Sequence, residues 1–385
     1  MLALLVCSTA LSAVAVEVGF RLTGPWIQMP LRGLYRPNPD GSHRLAPDFS
    51  GRVVNPEFAY TVRTNALGLR EREIPPKRNG EKRILVLGDS FAFGSGVEPE
   101  QTFERLLERR VTAASPKETV LVLNAGVEGY GTTEALRLLE SLGRGLEPDL
   151  VLLGFYLGND FSDNRPPGVA AKPGVAASPD VAASPSRRQA ADEWLRGQLQ
   201  SFAWARQRSY ILLARFGLRS PYLGDLGMIA RLAGDDPSAI ASLQWSADLI
   251  EAVARASGRL GAPFGVFLIP ARGQVYREEA ASVWAYYGLV PSEQVVTAGN
   301  RLLMETLALR GISSFDLLPA LRSASSGGER LYFRVDVHWT PAGHEVVAGA
   351  LDGFLRDSTV LTAPVMAPAD SPPVARLSVP DPRSP

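Results

Sequence analysis

Residues 82–90 read KRILVLGDS, and this stretch decides the fold. A short apolar run closed by glycine, with polar residues immediately after it, reads as a strand buried on both faces that ends at a site mouth. Working outward, TVLVLN at 119–124, DLVLLGFYL at 149–157, PFGVFLIP at 263–270 and 312–317 have the same character. Between them, the stretch 99–114 places Phe103, Leu106, Leu107 and Val111 at helical spacing. Further helices are predicted at 132–146, 192–217, 238–260, 291–310 and 341–356. For the last, Thr340 serves as the cap and Pro341 suits the first helical position. Strands alternating with helices imply right-handed βαβ units, hence a three-layer α/β/α fold around a central parallel sheet. Ligands of such sheets bind beyond the carboxyl ends of the strands.

The chain has 385 residues, 45% of them hydrophobic and 21% charged. That is enough apolar material for a core, and it excludes fully disordered, collagen-like and multi-span membrane classes. Forty basic side chains balance forty acidic ones. With no basic excess to neutralise phosphates, nucleic acid is not an expected partner. The single Cys7 rules out an internal disulfide and a multi-cysteine metal site. No H-E-x-x-H occurs, so neither a metal nor a cofactor is expected, and no G-x-G-x-x-G follows the first strand of the alternating pattern. Imidazole chemistry is confined to His43, His338 and His344.

Residues 1–16, MLALLVCSTALSAVAV, carry no charge. As a helix they reach about 24 Å, short of a hydrocarbon core of roughly 30 Å unless continued through Phe20. Residues 1–20 therefore read as a signal peptide or an N-terminal membrane anchor, which places the protein outside the cytoplasm, periplasmic or extracellular. Residues 164–192 contain GVAAKP, GVAASP and DVAASP in tandem. Proline at every sixth position with alanine between gives a loose spacer, since a β-helix needs large inward-facing aliphatics. The tail 359–385 is proline-rich and reads as disordered. What remains is one α/β domain in two parts, 35–163 and 193–358, the second including a helical insertion.

Four blocks carry candidate chemistry. Gly88-Asp89-Ser90 sets a hydroxyl past a buried strand, with its N–H at a helix start. The run Asn124-Ala125-Gly126-Val127-Glu128-Gly129-Tyr130-Gly131 allows close backbone approach to a ligand. Gly158-Asn159-Asp160 offers a side-chain amide. Each of these three is, alone, equally an ordinary turn. In Asp336-Val337-His338-Trp339-Thr340-Pro341, an acid two residues from a histidine on an extended segment lies on its side of the backbone and can fix its tautomer. Of the three histidines, only His338 combines a loop position with such a partner.

Together the four blocks, in order and spacing from about 82 to 356, resemble the SGNH/GDSL hydrolase superfamily, and Thr64-Asn65-Ala66-Leu67-Gly68-Leu69-Arg70 looks like exported bacterial members. The resemblance implies an SGNH/flavodoxin-like fold with Ser90 as nucleophile, His338 as base and Asp336 orienting it. It also implies an oxyanion hole of the Ser90 N–H, the Gly129 N–H and the Asn159 side chain. Gly129 is preferred to Gly126 as the sixth residue of its block. Many members separate the acid and histidine by two residues; here only Val337 intervenes. The Asp-x-His-Trp form is similar to proteins that acetylate exopolysaccharides, although in those the pair precedes the serine.

The expected function is a serine esterase acting on O-acyl, chiefly acetyl, groups of a carbohydrate through an acyl-serine. A polysaccharide O-acetyltransferase with the same triad is the alternative, and a catalytically inactive glycan-binding module the reading of another class. Arg272 and Gln274, after the strand at 263–270, read as a solvated loop sooner than a cleft border. Trp339 either stacks on a sugar or packs beneath the triad. The aromatic residues at 194, 204, 210, 284, 286 and 287 read as helix packing or a lid, with 192–260 the best lid candidate.

Overall fold

A computed structural model of the chain describes residues 2–23, 31–114, 119–164 and 223–357, save positions 32, 40 and 56, with scattered residues between 199 and 212. Four short strands lie ahead of the main sheet. β1 (Tyr35–Pro37) pairs antiparallel with β2 (His43–Leu45), and β3 (Ser50–Val54) with β4 (Ala59–Arg63). The sheet itself comprises β5 (Glu81–Gly88), β6 (Thr119–Gly126), β7 (Leu150–Tyr156), β8 (Phe264–Ile269) and β9 (Ser313–Asp316). All are parallel, in the order β6-β5-β7-β8-β9. The order reverses between β5 and β7, so the ends of these two strands flank a topological switch point, where open α/β sheets bind ligands.

The strand interiors show why the pattern is continuous and not alternating. Leu85, Val86, Leu87, Leu152, Val266 and Phe267 are sealed from solvent, because helices cover both faces. Each such side chain stabilises the fold by about 1.5–3 kcal/mol relative to exposure. The charged start of β5 is accommodated by a buried ion pair, Arg83 Nε to Glu81 Oε1 at 2.7 Å.

Along the chain the helices are α1 (Leu2–Thr23), α2 (Ser90–Phe93), α3 (Phe103–Ala114), α4 (Thr132–Leu146), α5 (Asp160–Asp163), α6 (Leu223–Ala233) and α7 (Pro237–Arg259). There follow α8 (Arg272–Val275), α9 (Ala298–Leu309), α10 (Leu318–Ser325) and α11 (Pro341–Asp357), with minor turns between. α3, α10 and α11 form one layer; α4, α6, α7 and α9 form the other. α7 carries Leu243, Ile250 and Val253 into the core and is the crossover helix between β7 and β8. It is therefore a structural layer, so the part of the 192–260 lid candidate at 237–259 is not a lid; most of 192–222 lies outside the described residues. The helix expected over 291–310 is divided at Thr297, which ends a short turn and begins α9.

The two N-terminal ladders pack as a second apolar cluster, Leu34, Leu45, Tyr60 and Val62, against Phe93, Val127 and Tyr130. They thus abut the carboxyl ends of β5 and β6. Residues 1–20, expected as a signal peptide or membrane anchor, fall largely in α1; among the described residues no helix is long and apolar enough to cross a membrane. Glu17 lies within α1, paired with Arg21 at 2.8 Å and accepting a bond from Ser201 Oγ at 2.6 Å. The spacer, from 165 to 192, and the tail 359–385 lie outside the described residues, as do the aromatic residues at 194, 204 and 210.

Candidate active site

β5 ends at Gly88, whose φ of +156° leads into a sharp turn. Asp89 follows as the cap of α2, its Oδ1 accepting the Phe91 N–H at 2.9 Å, and Ser90 opens the helix. The first N–H groups of a helix have no intrahelical acceptor, so the Ser90 amide lies where negative charge is favoured. Arg70, almost wholly buried, reaches the other end of α2. Its Nη1 donates to the carbonyls of Phe93 (2.5 Å) and Gly94 (2.7 Å), and its Nη2 to that of Val97 (2.7 Å). Arg70 in the 64–70 segment thereby secures the turn that presents Ser90.

Facing Ser90, the loop 333–338 delivers Asp336 and His338. His338 Nε2 lies 2.6 Å from Ser90 Oγ, and His338 Nδ1 lies 2.5 Å from Asp336 Oδ1. The Asp336 carboxylate also accepts the His338 backbone N–H at 3.0 Å. Three side chains separated by up to 248 positions thus meet in one hydrogen-bonded line. Burial opposes the charged form of His338, but the Asp336 carboxylate, helped by Asp89 and Glu128, prevails and raises its pKa above the ordinary imidazole value. For Asp336, burial pushes upward, yet His338 and Arg272 hold the carboxyl below the usual carboxylate range. Beneath this line, Phe91 touches the His338 ring at 5.0 Å between centroids and Trp339 at 4.7 Å. Trp339 is fully buried, so of its two readings the structure takes packing beneath the site.

Two other carboxyls near the line are pushed up by desolvation. Asp89 rises to about 6, and so does Asp225 of α6 despite the pull of Arg272. Asp160 is also held well above the carboxylate range by burial and by Asp89.

The remaining predicted site residues occupy the ends of β6 and β7. Gly126 abuts α2 so closely that a Cβ there would overlap Phe93 N and the Ala92 carbonyl carbon. Its N–H is taken by Asn124 Oδ1 at 2.9 Å. Gly126→Ala is expected to overpack this contact, costing about 1–3 kcal/mol of stability in urea unfolding and displacing Ser90. Gly129 is exposed, at φ +78° in the turn Val127–Tyr130 closed by a 3.2 Å bond. Asn159 caps α5, and its amide donates one hydrogen to Asp163 Oδ2 at 2.7 Å, leaving the other. His43 is instead bonded to the Glu128 carbonyl (2.8 Å), and His344 Nδ1 accepts the Phe103 N–H (3.2 Å). Among the described residues, no group of three His, Cys, Asp or Glu is placed to hold a metal ion.

Arg272 departs from the solvated-loop reading preferred for it. Its side chain is fully buried, not solvated, and its Nη1 points at the carbonyls of Val335 (2.9 Å) and Asp336 (2.8 Å). Its Nε stands 3.7 Å from Asp225 Oδ2. Gln274 is likewise buried, bonded to the Val296 carbonyl and Asn300. The one available signal was position: Arg272 directly follows a strand end, where the sheet meets its ligands.

The fold and site define an α/β protein in which serine, histidine and aspartate converge beside the carboxyl ends of a doubly wound parallel sheet. Residues 234–370 match the family described as "SGNH hydrolase-like domain, acetyltransferase AlgX". Over that stretch, 137 of the 385 residues, the chain is similar to an SGNH hydrolase-like family. It is 32% identical over 119 residues to a probable alginate O-acetylase AlgJ of Pseudomonas aeruginosa, covering 30% of this chain and 28% of that relative. The chain thus spans under a third of the length of the curated relatives it matches. Similar solved structures include a two-domain esterase (CEX) active on acetylated mannans, at 13% identity and a TM-score of 0.38, covering 74% of this chain and 51% of that one. Another is the acetyl xylan esterase AlAXEase, at 11% identity and a TM-score of 0.39, covering 70% and 97%.

Proposed function

We propose that the protein is an ester-acting serine enzyme that handles O-acetyl groups of an exopolysaccharide, with transfer to a sugar hydroxyl as its reaction. The observation that carries the enzymatic reading is the continuous line Ser90 Oγ to His338 Nε2 (2.6 Å) and His338 Nδ1 to Asp336 (2.5 Å). In this reading His338 takes the Ser90 proton at Nε2 while Oγ attacks the acetyl carbonyl. Asp336 holds the Nδ1 proton and offsets the imidazolium charge. The oxyanion is received by the Ser90 N–H, the Gly129 N–H and the free hydrogen of the Asn159 amide. Losing one such donor typically costs about 2.7–4 kcal/mol of barrier. Collapse expels the donor alcohol, which takes the proton from His338, and leaves acetyl-Ser90. His338 then deprotonates the acceptor, and the second tetrahedral intermediate collapses to the new ester and free serine.

The choice of acceptor rests on the AlgX-type match over 234–370, which contains the Asp-x-His-Trp block, and on the O-acetylase relatives. Hydrolysis, with water as acceptor, is the second reading and uses the same residues. An exported location accords with the apolar segment 1–16. The test is incubation of the full chain with a short-chain acetyl donor, with and without an oligosaccharide. Acetylated sugar supports transfer; free acetate alone in both arms supports the esterase. An absence of turnover together with no labelling of Ser90 by a fluorophosphonate leaves the inactive binding module.

A further inference from the structure

We propose that Glu57, in the turn joining β3 to β4, is a positioning residue that pins the loop carrying Asp336 from the face opposite Arg272. The inference rests on the reading of Ser90, His338 and Asp336 given above. Glu57 Oε1 accepts the N–H groups of Arg334 (2.8 Å) and Val335 (3.1 Å), and Oε2 those of Val335 (3.1 Å) and Asp336 (2.7 Å). Successive amides converging on one carboxylate make a small anion-binding concavity. The N–H and C=O of a trans peptide point in opposite directions. A row of amides facing Glu57 therefore turns the carbonyls toward the other side, where Arg272 Nη1 meets those of Val335 and Asp336 and stands 3.5 and 3.4 Å from those of Phe333 and Arg334.

The loop has no helix of its own at 333–338, and its ends are closed by the Phe333 N–H donating to the His338 carbonyl (3.0 Å). The N–H groups of 334–336 go to Glu57, while the carbonyls of Val335 and Asp336 go to Arg272. Glu57 is itself held by its turn: Asn55 Oδ1 accepts the N–H groups of Glu57 (2.8 Å) and Phe58 (3.0 Å). The Phe58 ring packs on Phe333 at 4.8 Å. The hairpin thus reaches the loop by both an apolar and a charged contact. The structure assigns the hairpin a part in the site although none of its side chains belongs to the hydrogen-bonded line.

His338 is faced by Asp336 from its own loop, Asp89 from the end of β5, Glu128 from the β6–α4 turn, Asp225 from α6 and His344 from α11. Asp336 is faced by His338, by Arg272 of α8, by Asp225 of α6 and by Tyr60 of β4. Releasing the loop from Glu57 loosens Asp336 from His338 Nδ1, and the imidazole then loses part of the contact that favours its protonated form. The experiment is an NMR titration of the His338 ring in the full chain, for wild type, Glu57→Gln and Glu57→Asp, with folding checked by circular dichroism. Glu57→Asp keeps the charge but shortens the reach. Both substitutions are expected to lower the His338 midpoint by about 0.5 pH unit or more. In active protein the acid limb of kcat/KM should move with it, and kcat/KM should fall about 10-fold to 100-fold. Unmoved midpoints in folded variants overturn the proposal. So does a shift in Glu57→Gln alone with Glu57→Asp like wild type, because then charge and not attachment is responsible. The titration needs no substrate, so a shifted midpoint in a protein without turnover upholds the positioning role while removing the enzymatic reading.

Discussion

Ser90→Ala is expected to lower kcat by about 10⁶ and to abolish fluorophosphonate labelling, while the fold persists. The two consequences separate because Ser90 contributes little packing: its neighbours Phe91, Ala92 and Phe93 fill the core, and Asp89 caps α2. Removing one oxygen atom from the rim therefore leaves the helix start intact, and unfolding free energy should change by no more than about 0.5 kcal/mol. Circular dichroism and urea unfolding check the fold; acetyl-ester turnover checks the chemistry. Turnover retained in Ser90→Ala would place the nucleophile elsewhere and end the proposed mechanism.

Asp336→Asn should lower kcat by about 10⁴. The amide keeps the shape of the carboxylate but presents a donor to Nδ1, so the imidazole is held in the tautomer that cannot receive the Ser90 proton at Nε2. The pH profile carries a second signature. His338 must be neutral to act as base, and its pKa lies above the ordinary imidazole value because Asp336 outweighs burial. In wild type, kcat/KM should therefore rise with pH through a midpoint above about 6.5. In Asp336→Asn the residual rate should rise through a lower midpoint, since burial then acts with less opposition. A midpoint that stays in place while kcat falls would show that Asp336 does not hold the imidazole.

The parts of this molecule readable in the sequence are those fixed by local pattern. Residues 84–87 are uniformly apolar because β5 lies inside the sheet, and β5 is observed at Glu81–Gly88. The helix expected at 132–146 is observed with those bounds. The short N-terminal strands left little trace: His43–Leu45 has three residues, too few for an alternation to register, and its pairing depends on β1. Lys82 and Arg83 mark a strand entry in the sequence, but the burial of Arg83 depends on Glu81 and on the Leu146 carbonyl, 63 positions away.

The same contrast holds at the site. Ser90, Asp336 and His338 announce themselves as short polar words at strand ends and in a loop. Arg70, Arg272 and Glu57 do not, because a lone arginine or glutamate has no periodicity and ordinarily reads as solvated. Their partners are peptide groups, which every residue carries, so the sequence around the partner gives no clue. Only the folded arrangement shows that the carbonyls of Phe93 and Gly94, or of Val335 and Asp336, converge on one guanidinium.

The buried carboxyls beside Ser90 set acid tolerance against reactivity. Asp89 and Asp225 bind a proton near pH 6 in the folded chain but only near 3.8 when unfolded. Over that interval the native state holds more protons, so these two groups make the fold firmest toward the acidic end and weaken it as pH climbs to about 6. His338 pulls in the same direction, its contribution being lost as pH rises through its elevated midpoint. The proton whose departure readies the imidazole for work is thus one whose retention favours the native state, whereas buried His344, its pKa lowered to about 3 chiefly by desolvation, acts the other way and costs stability as pH falls.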